Sequence, residues 1–165
     1  VVFCGWASYV LEFLDTVPGD HEVVLVDQDP AALAFCEREQ LGPWREQVRA
    51  ISAPVRKLHE LGLPRAHFDI AITAGLLDYL ETDPARQLVG TMAELLTPGG
   101  QLAFTNFHRE DPSNPVREWF TDWFLVLRDE DEVRALLPAR GARDVRRSPE
   151  GSVVYATWRR SGGDR

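Results

Sequence analysis

Short apolar runs rich in branched residues alternate along this chain with stretches whose apolar positions recur every three or four residues. That alternation predicts βαβ units around a mainly parallel sheet. Val1 to Gly5 reads as a buried first strand, and Ser8 to Thr16 as a helix with Val10, Leu11 and Leu14 on its inner face. After the turn Pro18-Gly19-Asp20, the run Glu22 to Asp27 predicts a second strand covered on both faces and ended by acids. Asp29-Pro30 then supplies an N-cap and a first-turn proline for a helix from about Pro30 to Leu41, carried by Leu33, Cys36 and Gln40 or Leu41. Gln47 to Ile51 is a third strand, Val55 to Leu61 a short helix, and Phe68 to Ala74 a fourth strand. Asp83-Pro84 repeats the cap device for a helix buried through Leu88, Met92, Leu95 and Leu96. Thr97-Pro98-Gly99-Gly100 stops that helix and turns into a fifth strand, Gln101 to Phe107.

The order then changes. Asn114-Pro115 opens an aromatic helix, and Asp129 with Glu132 has the spacing of a capping box for the next one. Arg143 to Arg147 and Ser152 to Arg159, joined through Ser148-Pro149-Glu150-Gly151, read as an antiparallel pair closing the sheet. The expectation is one mostly parallel seven-stranded sheet with an antiparallel C-terminal strand.

Composition narrows the picture. With 165 residues, 44% hydrophobic and 27% charged, one globular domain is expected. A formal charge of -8 leaves no broad basic surface for nucleic acid. Cys4 and Cys36 stand far apart, with no metal-ligand spacing, so a cytoplasmic setting and no metal are expected. Acids such as Glu12, Asp15, Asp69 and Asp78 interrupt the longest apolar stretches, which argues against a membrane span. The chain opens on VVFCG without an initiator Met and is expected to be the C-terminal part of a longer one.

In an open parallel sheet, ligands collect beyond the carboxyl ends of the strands. That rule selects Cys4 to Ser8, Asp27, Ser52-Ala53, Ala74 to Tyr79 and Asn106 to His108. Gly5 admits a close backbone approach, and the amides of Ala7 and Ser8 suit a carboxylate or phosphate, though a plain strand-to-helix turn needs the same glycine. Asp27 is placed to accept the hydroxyl hydrogens of a ribose, or else simply to cap the turn. Together they indicate an adenosine-type cofactor. Gly5 is followed by Trp6-Ala7-Ser8 with no second glycine, so the dinucleotide fingerprint is missing and NAD is disfavoured.

The blocks CGWASYVLEFL, VLVDQDPAAL, FDIAITAGLLDYL and LLTPGGQLAFTNF resemble, in order, the motifs of class I S-adenosylmethionine-dependent methyltransferases over nearly the whole chain. AGLLDYL, NFH, NP and EWFTDWFLVLRDEDEV are further similar to bacterial enzymes that methylate the carboxyl group of 3-hydroxy fatty acids. The resemblance implies a Rossmann-like three-layer α/β sandwich with S-adenosyl-L-methionine as cofactor. It implies that Cys4, Gly5 and Ala7 line the methionine end, Asp27 binds the ribose, Gln28 flanks the adenine, and Ala74 and Gly75 pass beneath. Tyr79 would approach the transferred methyl or the substrate. Two departures stand out: the first motif keeps Gly5 alone, and Ser52-Ala53-Pro54 lacks the acid that often contacts adenine.

An in-line transfer to a carboxylate needs no general base, because that group is ionised at neutral pH. An alcohol or phenol would need one, and His108 is the histidine at the functional edge, unless it is an exposed loop residue. His21, His59 and His67 fall elsewhere and read as structural. Asn106 either bonds the substrate or finishes its strand, and Asp78 is expected to be a solvated partner to Tyr79. Of Trp119, Phe120, Trp123 and Phe124, the larger share is expected in the core, with Trp119 and Trp123 candidates for covering a small-molecule or acyl substrate. Arg109, Arg117 and Arg128 flank them and could pair a substrate carboxylate. The alternatives are a degenerate Rossmann-like module serving regulation or interaction, supported by the reduced first motif, and an NAD-linked oxidoreductase core.

Overall fold

In the computed structural model, which describes residues 2–3, 10, 12, 14, 16–17 and 19–162, the chain divides into two compact units, Val1–Gly62 and Leu63–Arg165. The first holds strands β1 (Val2–Phe3), β2 (Val23–Asp27) and β3 (Val48–Ser52), all parallel, with β2 between the other two. Val23 to Val26 are buried without interruption, as a strand covered on both faces requires. Of the helix expected over 8–16, the described residues Val10, Glu12, Leu14 and Thr16 are helical, with Val10 and Leu14 buried. Helix α1 (Pro30–Phe35) begins as expected, the Asp29 carboxylate accepting the Ala31 amide. It runs on into a wider π turn, Cys36–Gln40.

The second unit carries β4 (Phe68–Thr73), helix α2 (Thr82–Leu95), β5 (Leu96–Phe107), α3 (Asn114–Thr121), α4 (Glu130–Leu136), β6 (Ala142–Arg147) and β7 (Val153–Arg159). Its strands lie in the order β4-β5-β7-β6. β4 and β5 are parallel, while β7 runs against both β5 and β6. Seven strands are thus described, in mostly parallel pairings, with β7 antiparallel to both its neighbours; the tight turn that joins β6 to β7 can link antiparallel neighbours only.

Local chemistry explains these elements. Along α2, Ala85, Leu88, Val89, Met92 and Ala93 recur at helical spacing and are all buried. Glu81 rather than Asp83 is its N-cap, and Asp83 sits in the first turn, where a negative charge favours the helix dipole. At α4 the capping box forms in full, Asp129 accepting the Glu132 amide and the Glu132 carboxylate accepting the Asp129 amide. β7 alternates cleanly, Val154, Ala156 and Trp158 facing inward. Gly141, at φ +124°, enters β6 where a Cβ would overlap the Trp158 indole and the Arg159 carbonyl.

Candidate functional site

The residues selected at the carboxyl ends of the strands belong to both units. Cys4, Gly5 and Ala7 lie outside the described residues. In the first unit, Asp27 ends β2 half-buried, its carboxylate accepting the Asp29 amide at 2.9 Å, with Gln28 exposed beside it. That Asx turn holds the Asp27 oxygens at the strand end. Ser52 ends the neighbouring β3, paired with Asp27 in register.

In the second unit the site is built on the ends of β4 and β5. Thr73, the last residue of β4, is buried with its hydroxyl lacking a hydrogen-bond partner among the described residues. Ala74 follows, exposed, and then Gly75 at φ +74°, a left-handed backbone that an L side chain resists. The Gly75 amide donates to Thr105 Oγ1 of β5 at 3.1 Å. A single 3-10 turn, Leu77–Tyr79, closes the loop and leaves Tyr79 59% exposed. The Tyr79 hydroxyl accepts the Trp123 indole hydrogen at 2.9 Å. Trp123 packs edge-on to Phe107, and the Arg117 guanidinium lies over the Phe107 ring at 4.2 Å. Tyr79, Phe107, Trp123 and Arg117 therefore form one aromatic surface beside the loop.

Behind that surface lies a buried polar junction that the sequence reading missed. Arg128 is 2% exposed, and its guanidinium donates to the carbonyls of Leu77 and Leu80 and to Asn106 Oδ1. Asn106 in turn donates through Nδ2 to the carbonyls of Phe107 and Val126. Asp78 Oδ1 accepts the Phe107 amide at 2.7 Å. Asp78 is thus buried and not a solvated partner of Tyr79. Burial pushes its carboxyl up from 3.8 to about 6, against the lowering effects of the Phe107 amide, Arg128 and Arg117. Burial likewise holds Arg128 below its ordinary value, the Asp78 carboxylate opposing it.

Several expectations are corrected by this junction. Asn106 has its side-chain nitrogen and oxygen engaged by protein groups and is fully enclosed, so it does not present itself to a substrate. His108 is neither exposed nor available as a base: Nδ1 accepts the Glu110 amide, which leaves Nε2 as the donor to Glu130 at 3.1 Å. Arg128 is spent on carbonyls, Arg117 pairs with the buried Asp111 at 2.7 Å, and Arg109 pairs with Glu132. The aromatic set is not core. Helix α3 buries none of its residues, with Trp119 85% and Phe120 83% exposed, and beyond its end Phe124 is 67% exposed and Trp123 partly so. A signal for Asn106 and His108 was present: they continue the inward alternation of Leu102 and Phe104 along β5.

A shallow cavity of about 180 Å³ lies instead at the far end of the strands, lined by Gln101, Asp144 and Trp158 among others, remote from these groups. No cluster of potential metal ligands occurs, and no helix is long and apolar enough to cross a membrane, among the described residues.

The profile of a methyltransferase domain family matches residues 2–100. No curated protein matches the chain. Among solved structures, a possible exported protein from Bordetella parapertussis superposes with a TM-score of 0.82 at 21% identity, over 98% of this chain and 61% of its own. The N-methyltransferase NodS from Bradyrhizobium japonicum WM9, in complex with S-adenosyl-l-homocysteine, gives 0.66 at 18% identity, over 96% and 75%. An O-methyltransferase family protein from Burkholderia thailandensis gives 0.71 at 19%, over 99% of this chain and 50% of its own. The chain thus spans less than two thirds of two of these proteins, and the likeness establishes a Rossmann-like fold.

Proposed function

Because this chain belongs to the methyltransferase domain family, whose cofactor is S-adenosyl-L-methionine, we propose that it transfers a methyl group to a small-molecule or acyl acceptor. The observation that carries this reading is the family match over strands β1 to β4 and the start of β5, which takes in both Asp27 and the Ala74-Gly75 loop.

Each unit, taken by itself, offers groups of the kind such a cofactor uses. Asp27 offers a carboxylate at the end of a parallel strand, the chemistry a ribose diol needs, and Gln28 stands exposed beside it to flank the adenine. Thr73 has a buried hydroxyl lacking a partner among the described residues, and Gly75 a side-chain-free backbone at the next loop. Ala74 and Gly75 would pass beneath the cofactor, with Cys4, Gly5 and Ala7 assigned to its methionine end. When bound, the cofactor supplies an electrophilic methyl on a sulfonium. The protein's part is to bind, align and exclude water, and in a well-aligned reaction orientation can supply up to about 7 to 11 kcal/mol.

Tyr79, exposed and steadied by Trp123, is the side chain we assign to the acceptor, with Trp123 and Trp119 providing apolar surface beside it. The narrower form of the proposal is an acyl carboxylate such as that of a 3-hydroxy fatty acid. It is supported by His108, the histidine at this edge, having both ring nitrogens engaged, since a carboxylate acceptor needs no base. A cytoplasmic setting, expected from two widely separated cysteines in the sequence, belongs to the same proposal.

Calorimetric titration of the full-length protein tests the reading. S-adenosylmethionine is expected to bind and NAD is not; the reverse result, or no binding of either, removes it. Asp27→Ala should weaken S-adenosylmethionine binding by about 1–3 kcal/mol, the cost of losing charge-assisted hydrogen bonds.

A further inference from the structure

Asp78 joins three segments of the second unit. It lies in the 3-10 turn Leu77–Tyr79, and its Oδ1 accepts the Phe107 amide at the end of β5. Its own carbonyl accepts the Val126 amide at 2.7 Å, from the segment that follows α3. Its other carboxylate oxygen, Oδ2, comes within 3.9 Å of where a Cβ on Gly75 would stand. Arg128 grips the same turn at Leu77 and Leu80, on either side of Asp78. The side chain is 2% exposed, too enclosed for a substrate to touch, yet both neighbours assigned above, Gly75 and Tyr79, depend on the turn it anchors.

We propose that Asp78 is a positioning residue whose ionised carboxylate holds the 74–80 turn, so that Gly75 is set for the cofactor and Tyr79 for the acceptor. The inference rests on the reading of Ala74 and Gly75 as cofactor residues. A charged oxygen makes the stronger acceptor for the Phe107 amide. It also attracts the two guanidinium groups that face it, Arg128 from the segment after α3 and Arg117 from α3 itself. Burial lifts the carboxyl to about 6, so the charge is present at neutral pH and is withdrawn as pH falls through that value. A buried carboxyl that merely filled space would leave ligand affinity indifferent to this titration.

The test compares the wild-type chain with Asp78→Asn, using S-adenosylhomocysteine as the probe. Calorimetry across pH should show wild-type affinity falling about tenfold between neutral pH and one unit below the Asp78 midpoint, with the variant weaker at neutral pH and flat throughout. A second readout needs neither ligand nor variant. The Trp123 indole hydrogen, bonded to the Tyr79 hydroxyl, should shift in nuclear magnetic resonance spectra of the wild type with a midpoint near 6. Asp78→Glu should restore part of the pH dependence. Failure of the wild type to bind S-adenosylhomocysteine at neutral pH overturns the methyltransferase reading. Equal affinities in wild type and Asp78→Asn at every pH, or an indole signal that ignores the titration, overturns the positioning role alone.

Discussion

Two regions of the second unit invert one another. In the junction of Asp78, Asn106 and Arg128 the polar groups are inside, each exposed by 2% or less. On α3 and the residues after it the apolar groups are outside, with Trp119, Phe120 and Phe124 all more than 60% exposed. Elsewhere in the unit the ordinary rule holds, as in β7, where Val154, Ala156 and Trp158 point inward. The inversion coincides with the edge to which the proposed function assigns the acceptor. A polar interior is stable only when its partners are fixed, so it makes a stiff frame. An apolar exterior is unfavourable in water and favours whatever covers it.

The most damaging way to break the comparison is at the frame. Arg128→Ala would leave Asn106 Oδ1, two backbone carbonyls and the Asp78 carboxylate without their cation. A loss of about 3–5 kcal/mol in unfolding free energy is expected by denaturant titration. A result near zero would mean that the junction is not a frame.

Asp78→Asn should act in the opposite direction. A folded-state carboxyl that keeps its proton to about 6, against an ordinary value of 3.8, makes the native protein bind more protons than the unfolded chain between those two values. Stability therefore falls as pH rises through that window and stays level above it. Removing the charge should raise stability at neutral pH by about 1–3 kcal/mol, and the gain should disappear below about pH 4. Parallel unfolding curves at neutral and acidic pH would contradict this. The smallest effect belongs to the aromatic face. Trp119→Ser combined with Phe120→Ser should alter thermal stability within about 0.5 kcal/mol, because neither side chain is packed; a large loss would show that the face is part of the core after all.

The elements legible in the sequence were those whose cause is local. The branched run of β2, the helical stripe of α2, the capping box at Asp129 and Glu132 and the alternation of β7 all depend on neighbours within a few positions. The candidate site was legible in part, since the strand-end rule reached Asp27, Ala74, Gly75 and Tyr79. Its frame was not, because Asp78 and Arg128 are far apart in sequence and only the packed fold shows that each satisfies the other's surroundings. The aromatic residues of α3 misled for a related reason. Apolar character predicts a wish to be covered, and a sequence does not say whether the cover is the chain itself.

β5 borders β4 on one side and β7 on the other, and it receives the second neighbour late. Its stretch Gln101–Phe107 pairs with Val153–Arg159, so a growing polypeptide carries an open ladder of unmet backbone groups until β7 is synthesised. Ribosomal stalling or proteolytic nicking between those stretches would leave a ready template for edge-to-edge aggregation. The β6–β7 hairpin thus covers a β5 edge that would otherwise stand open, quite apart from anything the finished protein binds.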